Sequence, residues 1–103
     1  MYKIIDDTES IALAHLTAFG FSEDQVKPLI VQAKKDMENE LTKLQTLLDG
    51  KTVELEKINS VLHALKGLFF QVGNHEIAEQ LNEIRSHIDS HDSLAEIKKA
   101  LFY

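Results

Sequence analysis

The sequence predicts an all-α fold: an antiparallel up-down four-helix bundle preceded by a short extra N-terminal helix. Apolar residues recur at helical spacing over most of the chain. Ile58, Leu62, Leu65, Phe69 and Val72, for example, follow one another at steps of four, three, four and three and draw a single buried stripe. One proline and four glycines in 103 residues leave little turn-forming material, which favours a few long helices over many short strands. The connections between the periodic segments are short, so successive helices must run antiparallel.

The first helix is read from Thr8 to Phe19. Ile11, Leu13, Ala14, Leu16 and Ala18 make it apolar nearly all round, so it is expected to be covered, capping one end of the bundle. Gly20 ends it. Ser22 followed three residues later by Gln25 is a capping box that opens a long second helix, with Gly50 as its stop after Asp49. Pro28 lies beyond the first turn of that helix, where it implies a slight kink or a delayed start. The core face of this helix is Val26, Ile30, Ala33, Met37, Leu41, Leu44 and Leu48. A third helix runs from Thr52 to Val72, and Gly73 reads as a helix-ending glycine in the left-handed conformation. Asn74 can cap a fourth helix that packs through Ile77, Leu81, Ile84 and Ile88 and ends near Asp89. Ser90 reads as the cap of a last helix, His91 to Phe102, which buries Leu94, Ile97 and Leu101, with Phe102 and Tyr103 as its anchor.

Composition bounds the function. Residues 1–103 make one domain, and a chain that is 44% hydrophobic and 27% charged has the profile of an ordinary soluble globule. Eleven basic residues against seventeen acidic ones give a net charge of −6, which argues against a nucleic-acid surface, since phosphate contacts need clustered cations. The same charge discourages self-association, so a monomer is expected. Without cysteine there is neither a disulfide nor a thiolate metal site. The start, Met-Tyr-Lys-Ile-Ile-Asp-Asp, lacks the apolar core of a signal peptide, and no apolar run approaches the length of a membrane span. A cytoplasmic protein is the simplest reading, and no cofactor is called for.

The chemistry concentrates in His63-Ala-Leu-Lys66-Gly67, with Gly73 six residues on. His63 lies off the apolar stripe. Helical neighbours stand three and four residues apart, so His63 is flanked by Asn59, Ser60, Lys66 and Gly67. An imidazole nitrogen is a nucleophile only when neutral, and histidine sits near that boundary at physiological pH. The Lys66 ammonium one turn away would attract an anion such as a phosphoryl group carried on the ring. Gly67 costs about 1 kcal/mol of helix propensity relative to alanine. Close approach of a partner's backbone would explain a glycine there. Twenty residues of helix span about 30 Å, so His63 sits on the side of a rod. Such a convex surface cannot surround a small substrate, but it can meet another protein.

The stretch H-A-L-K-G-L-F-F-Q-V-G, from His63 to Gly73, resembles the phosphoacceptor motif of histidine-containing phosphotransfer (HPt) domains, the four-helix-bundle carriers of multistep phosphorelays. The family pattern is histidine, a small or polar residue, an apolar residue, lysine and glycine, then a second glycine ten positions after the histidine, and each slot is filled. The resemblance extends to length and helix order over almost the whole chain, although only this segment is specific. It implies that His63 takes a phosphoryl group from the aspartate of one receiver domain, which could belong to a hybrid histidine kinase, and passes it to another. Lys66 would lie close to the moving phosphoryl group and Gly67 would give the receiver room to dock. The protein would be a carrier rather than an enzyme, because positioning and charge neutralisation dominate phosphoryl transfer and the receiver's Mg²⁺ supplies much of the latter. The nucleophilic atom implied is Nε2.

Three departures qualify the resemblance. Leu68, Phe69 and Phe70 follow Gly67 where the family has small residues; Phe69 falls on the core stripe, and Phe70, two turns from His63 on the same side, reads as part of an exposed apolar docking patch. Arg85, twenty-two residues after the histidine, stands where the family often has glutamate or glutamine. An arginine there would either bind phosphohistidine with its planar fork of donors or lie solvated on the surface. Thirdly, no kinase or receiver domain accompanies the motif. The bulky segment keeps a second reading open, a helical adaptor that docks receivers or other signalling proteins without being phosphorylated.

The remaining histidines read as structural or surface residues. His15 is expected to be partly buried, and His75, in the first turn of a helix, exposed. His87 and His91, with Glu83 one turn earlier, have a metal-like spacing, but the predicted break at Ser90 spoils the geometry, and no metal site is assigned.

Overall fold

A computed structural model of the protein describes residues 2–88 and 91–102, and among these every regular element is an α-helix. The order is α1 (Lys3–Ala18), α2 (Glu23–Asp49), α3 (Leu55–Gln71), α4 (His75–Ser86) and α5 (His91–Leu101). Asp89, Ser90 and Tyr103 lie outside the described residues, and with them the expected end of the fourth helix, the cap of the last and part of its anchor.

Successive helices pack antiparallel: Thr46 and Leu47 of α2 share a groove with Lys57 and Ser60 of α3 while Asp36 and Asn39 share one with Ala64 and Leu68, and Gln80 of α4 shares one with Ala100 of α5. Tyr2 reaches Thr42 and Gln45 while Glu9, further along α1, meets Lys34, earlier in α2. Asn59 of α3 lies beside Arg85 near the far end of α4. His87, just beyond α4, pairs with Glu96 of α5. The molecule is long and narrow, about 45 × 22 × 21 Å.

The core follows the predicted stripes closely in α3, where Ile58, Leu62, Leu65 and Phe69 are fully buried and Val72 nearly so. In α2 Val26, Met37, Leu41 and Leu44 are buried, with Ile30, Ala33 and Leu48 partly so. The α4 stripe is rotated slightly from expectation: Ala78, Leu81 and Ile84 are buried while Ile77 and Ile88 are only partly covered. In α5 Ile97 and Leu101 are buried and Leu94 is half-buried.

The first helix differs most from expectation. It begins at Lys3 and lies along α2, burying Ile4, Ile5, Thr8 and Ala12, which share one face. Ile11 and Leu13 stay on the surface at 39% and 49% exposure, so the apolar run is not covered all round. The reason is register: one face meets α2, and the remaining apolar residues point away from it. Helix α3 begins at Leu55 rather than Thr52, because residues 51–54 form the bend that reverses the chain.

The helix ends are set locally. Ser22 Oγ accepts from the Gln25 N–H at 3.3 Å, and Gln25 Oε1 accepts from the Ser22 N–H at 2.8 Å, so both halves of the capping box form. Since α2 starts at Glu23, Pro28 stands inside the helix without delaying its start. Asn74 Oδ1 accepts from the Ile77 N–H and caps α4. Gly73 has φ +91°, and the Asn74 N–H closes back onto the Phe69 carbonyl at 2.9 Å, the left-handed ending expected of that glycine. Gly50 ends α2 differently, in extended conformation at φ −68°.

Candidate functional site

The stripe that buries Leu62 and Leu65 turns His63 outward, and the imidazole is exposed on the side of α3. A tight turn at Gly73 then brings α4 back along α3. Asn59 and Arg85 lie nearly equally far from that turn on its two sides, so antiparallel packing sets them side by side.

Arg85 connects the site. Its Nε donates to Asn59 Oδ1 at 3.0 Å, and its Nη1 lies 2.9 Å from His63 Nδ1. Guanidinium has donors only and stays charged, so the proton in the second contact belongs to Arg85 and Nδ1 must present a lone pair. A neutral His63 ring in this contact carries its proton on Nε2. Asn59, expected as a docking neighbour of His63, instead fixes Arg85 and is half-buried. The sequence contains a signal for this pairing, the similar spacing of the two residues from Gly73, but the antiparallel register must be known to use it.

Lys66 is half-buried rather than fully exposed, as suits a long side chain at the edge of an apolar stripe whose stem covers carbon while its ammonium reaches water. It has no ion-pair partner among the described residues. At Gly67 the surface is bare: a Cβ built there would meet nothing within 4 Å. Ser60 is exposed but faces α2, lining a shallow, mainly apolar groove with Thr42, Lys43, Leu47, Lys57 and Val61. Of the three bulky residues after Gly67, Phe69 is in the core and Leu68 packs partly against it. Only Phe70 is on the surface, at 60% exposure.

Phe70 is not isolated. Its ring stacks on His75 with centroids 4.8 Å apart and planes at 28°, and His75 meets the edge of His15 at 6.1 Å. His15 is half-buried and packs over the Gly73 turn. Sequence spacing alone does not bring these two histidines together; their meeting depends on α1 lying against the turn, which no local pattern announces.

Elsewhere His87 Nε2 lies 3.0 Å from Glu96 Oε2, and Ser93 Oγ donates to the His87 carbonyl at 3.1 Å. Among the described residues no group of three or more histidine, cysteine, aspartate or glutamate side chains could hold a metal ion, and the His91 side chain lies outside the described ones. Among the described residues no helix is long and apolar enough to cross a membrane. The site is thus an outward imidazole, one guanidinium locked to it, one ammonium a turn away and a bare helix surface beside them. No protein-family model, curated protein or solved structure matches the chain.

Proposed function

We propose that this protein is a histidine phosphotransfer carrier of a multistep phosphorelay. His63 accepts a phosphoryl group from a receiver-domain aspartate and hands it to a second receiver. In this reading α2 to α5 form an antiparallel up-down four-helix bundle with α1 laid along α2, and the protein works as a cytoplasmic monomer. The observation that carries the reading is the exposed His63 on a convex helix face, with Arg85 at its ring and open surface at Gly67. A receiver can approach such a face without displacing a side chain at Gly67. Lys66 and Arg85 supply the positive charge a transferring phosphoryl group needs, and the docking receiver supplies the rest of the active site. Phe70, exposed two turns further along α3, offers apolar contact to the receiver.

The test is phosphotransfer from phosphorylated receiver domains of the same organism, with His63→Gln alongside. An acid-labile, alkali-stable phosphoryl group on the wild type alone is the expected result. One observation favours a second reading, an adaptor that docks receivers without being phosphorylated: with Arg85 on Nδ1, the outward nitrogen carries a proton and has no lone pair for attack. A receiver complex without label on the wild type would establish that reading.

A further inference from the structure

We propose that Arg85, anchored by Asn59, is a tautomer lock that keeps His63 in its non-nucleophilic form until a receiver docks. This rests on the reading of His63 as phosphoacceptor. A neutral imidazole has one proton and one lone pair, and attack from the outward nitrogen needs the lone pair on Nε2 and the proton on Nδ1. The observed contact demands the reverse, because Arg85 Nη1 can only donate to Nδ1 at 2.9 Å. Asn59 makes the contact persistent: its Oδ1 takes the Arg85 Nε–H at 3.0 Å, so two of the guanidinium's donors are aimed by α3 itself.

The release step balances simply. Arg85 leaves Nδ1, Nε2 gives its proton to water, and Nδ1 takes one from water, so the ring stays neutral with its lone pair outward. Nε2 then attacks the phosphorus of the aspartyl phosphate. The N–P bond forms as the P–O bond to the aspartyl carboxylate breaks, the carboxylate leaves with the electron pair, and the ring keeps its Nδ1 proton. A docked phosphoryl group provides the force for release, because its oxygens are better acceptors for a guanidinium than a neutral ring nitrogen is. Arg85 is a positioning residue before transfer, acting through the ring it holds.

The tautomer is read directly by long-range ¹H–¹⁵N correlation on the unphosphorylated, ¹⁵N-labelled protein at alkaline pH, without any receiver. The wild type is expected to carry the His63 proton on Nε2. Arg85→Glu, which places an acceptor where the donor was, is expected to move it to Nδ1 and so exchange the two nitrogen shifts. A wild-type proton on Nδ1, or an Arg85→Glu spectrum unchanged from wild type in a folded protein, overturns the lock. Failure of the phosphotransfer reading is separate: no label on the wild type from any receiver rejects that reading while the tautomer measurement still reports whether Arg85 holds the ring.

Discussion

Thr8 and Asn74 meet in the interior, where the Asn74 Nδ2 donates to Thr8 Oγ1 across 2.8 Å. The two residues are 1% and 4% exposed. The bond ties the middle of α1 to the turn that delivers α4 beside α3, and so it supports the register on which Arg85 depends. Thr8→Val keeps the shape of the side chain but leaves a buried amide donor without its partner. A loss of about 1–3 kcal/mol is expected, read as a lower urea midpoint at unchanged slope. Asn74→Ala should cost more, because the cap of α4 disappears with the same substitution; an N-cap alone contributes about 1 kcal/mol. A midpoint equal to that of the wild type in Thr8→Val would show that water replaces the bond.

His15 sets the second prediction. A Cβ at Gly73 would stand 2.5 Å from His15 Cγ and 2.6 Å from its Nδ1, and the backbone there is at φ +91°. Gly73→Ala therefore meets both a strained backbone and an occupied space. The strain alone is worth about 1–3 kcal/mol. His15→Gly removes the obstructing ring together with its Cβ, which lies 2.8 Å from the same point, so in the double variant Gly73→Ala should cost less than it does alone, by the part due to overlap. Equal costs in the two backgrounds would assign the whole effect to the backbone.

Much of this was legible in the sequence because it depends on local spacing. The α3 stripe, the Ser22–Gln25 capping box, the Asn74 cap and the left-handed Gly73 all follow from residues within a few positions of one another. What was not legible depends on how helices register. Thr8 reads as the start of the first helix, yet α1 starts five residues earlier, at Lys3, and turns Thr8 inward to meet Asn74. Ser93 is likewise buried because the His87 carbonyl needs its hydroxyl. At the site, the outward face of His63 was readable from the stripe. Which donor its ring meets was not, since that depends on the rotation of α4 about its own axis.

Leu65 tests the core beneath the site. It is fully buried two positions from His63. Leu65→Ala is expected to destabilise by roughly 2–5 kcal/mol through lost burial and a residual cavity. A small loss would mean that the neighbouring side chains collapse into the space.

Lys66 and Gly67 separate charge from access at the same site. Lys66→Ala removes the ammonium and, with it, the cover given by a half-buried stem. It should slow loading of His63 while leaving the protein folded, with a stability change within about 1 kcal/mol. Gly67 is exposed in mid-helix with nothing near its missing Cβ, so a side chain there is tolerated by this protein alone. Gly67→Ala should raise stability by about 1 kcal/mol through helix propensity. Gly67→Gln should also stabilise the helix but block the approach of a receiver, so transfer falls while the midpoint of unfolding rises. Opposite signs of the two effects in one variant are hard to obtain from general damage to the fold. Transfer unchanged in Gly67→Gln would move the receiver's footprint away from this face of α3, and with it the roles given to Lys66 and Phe70.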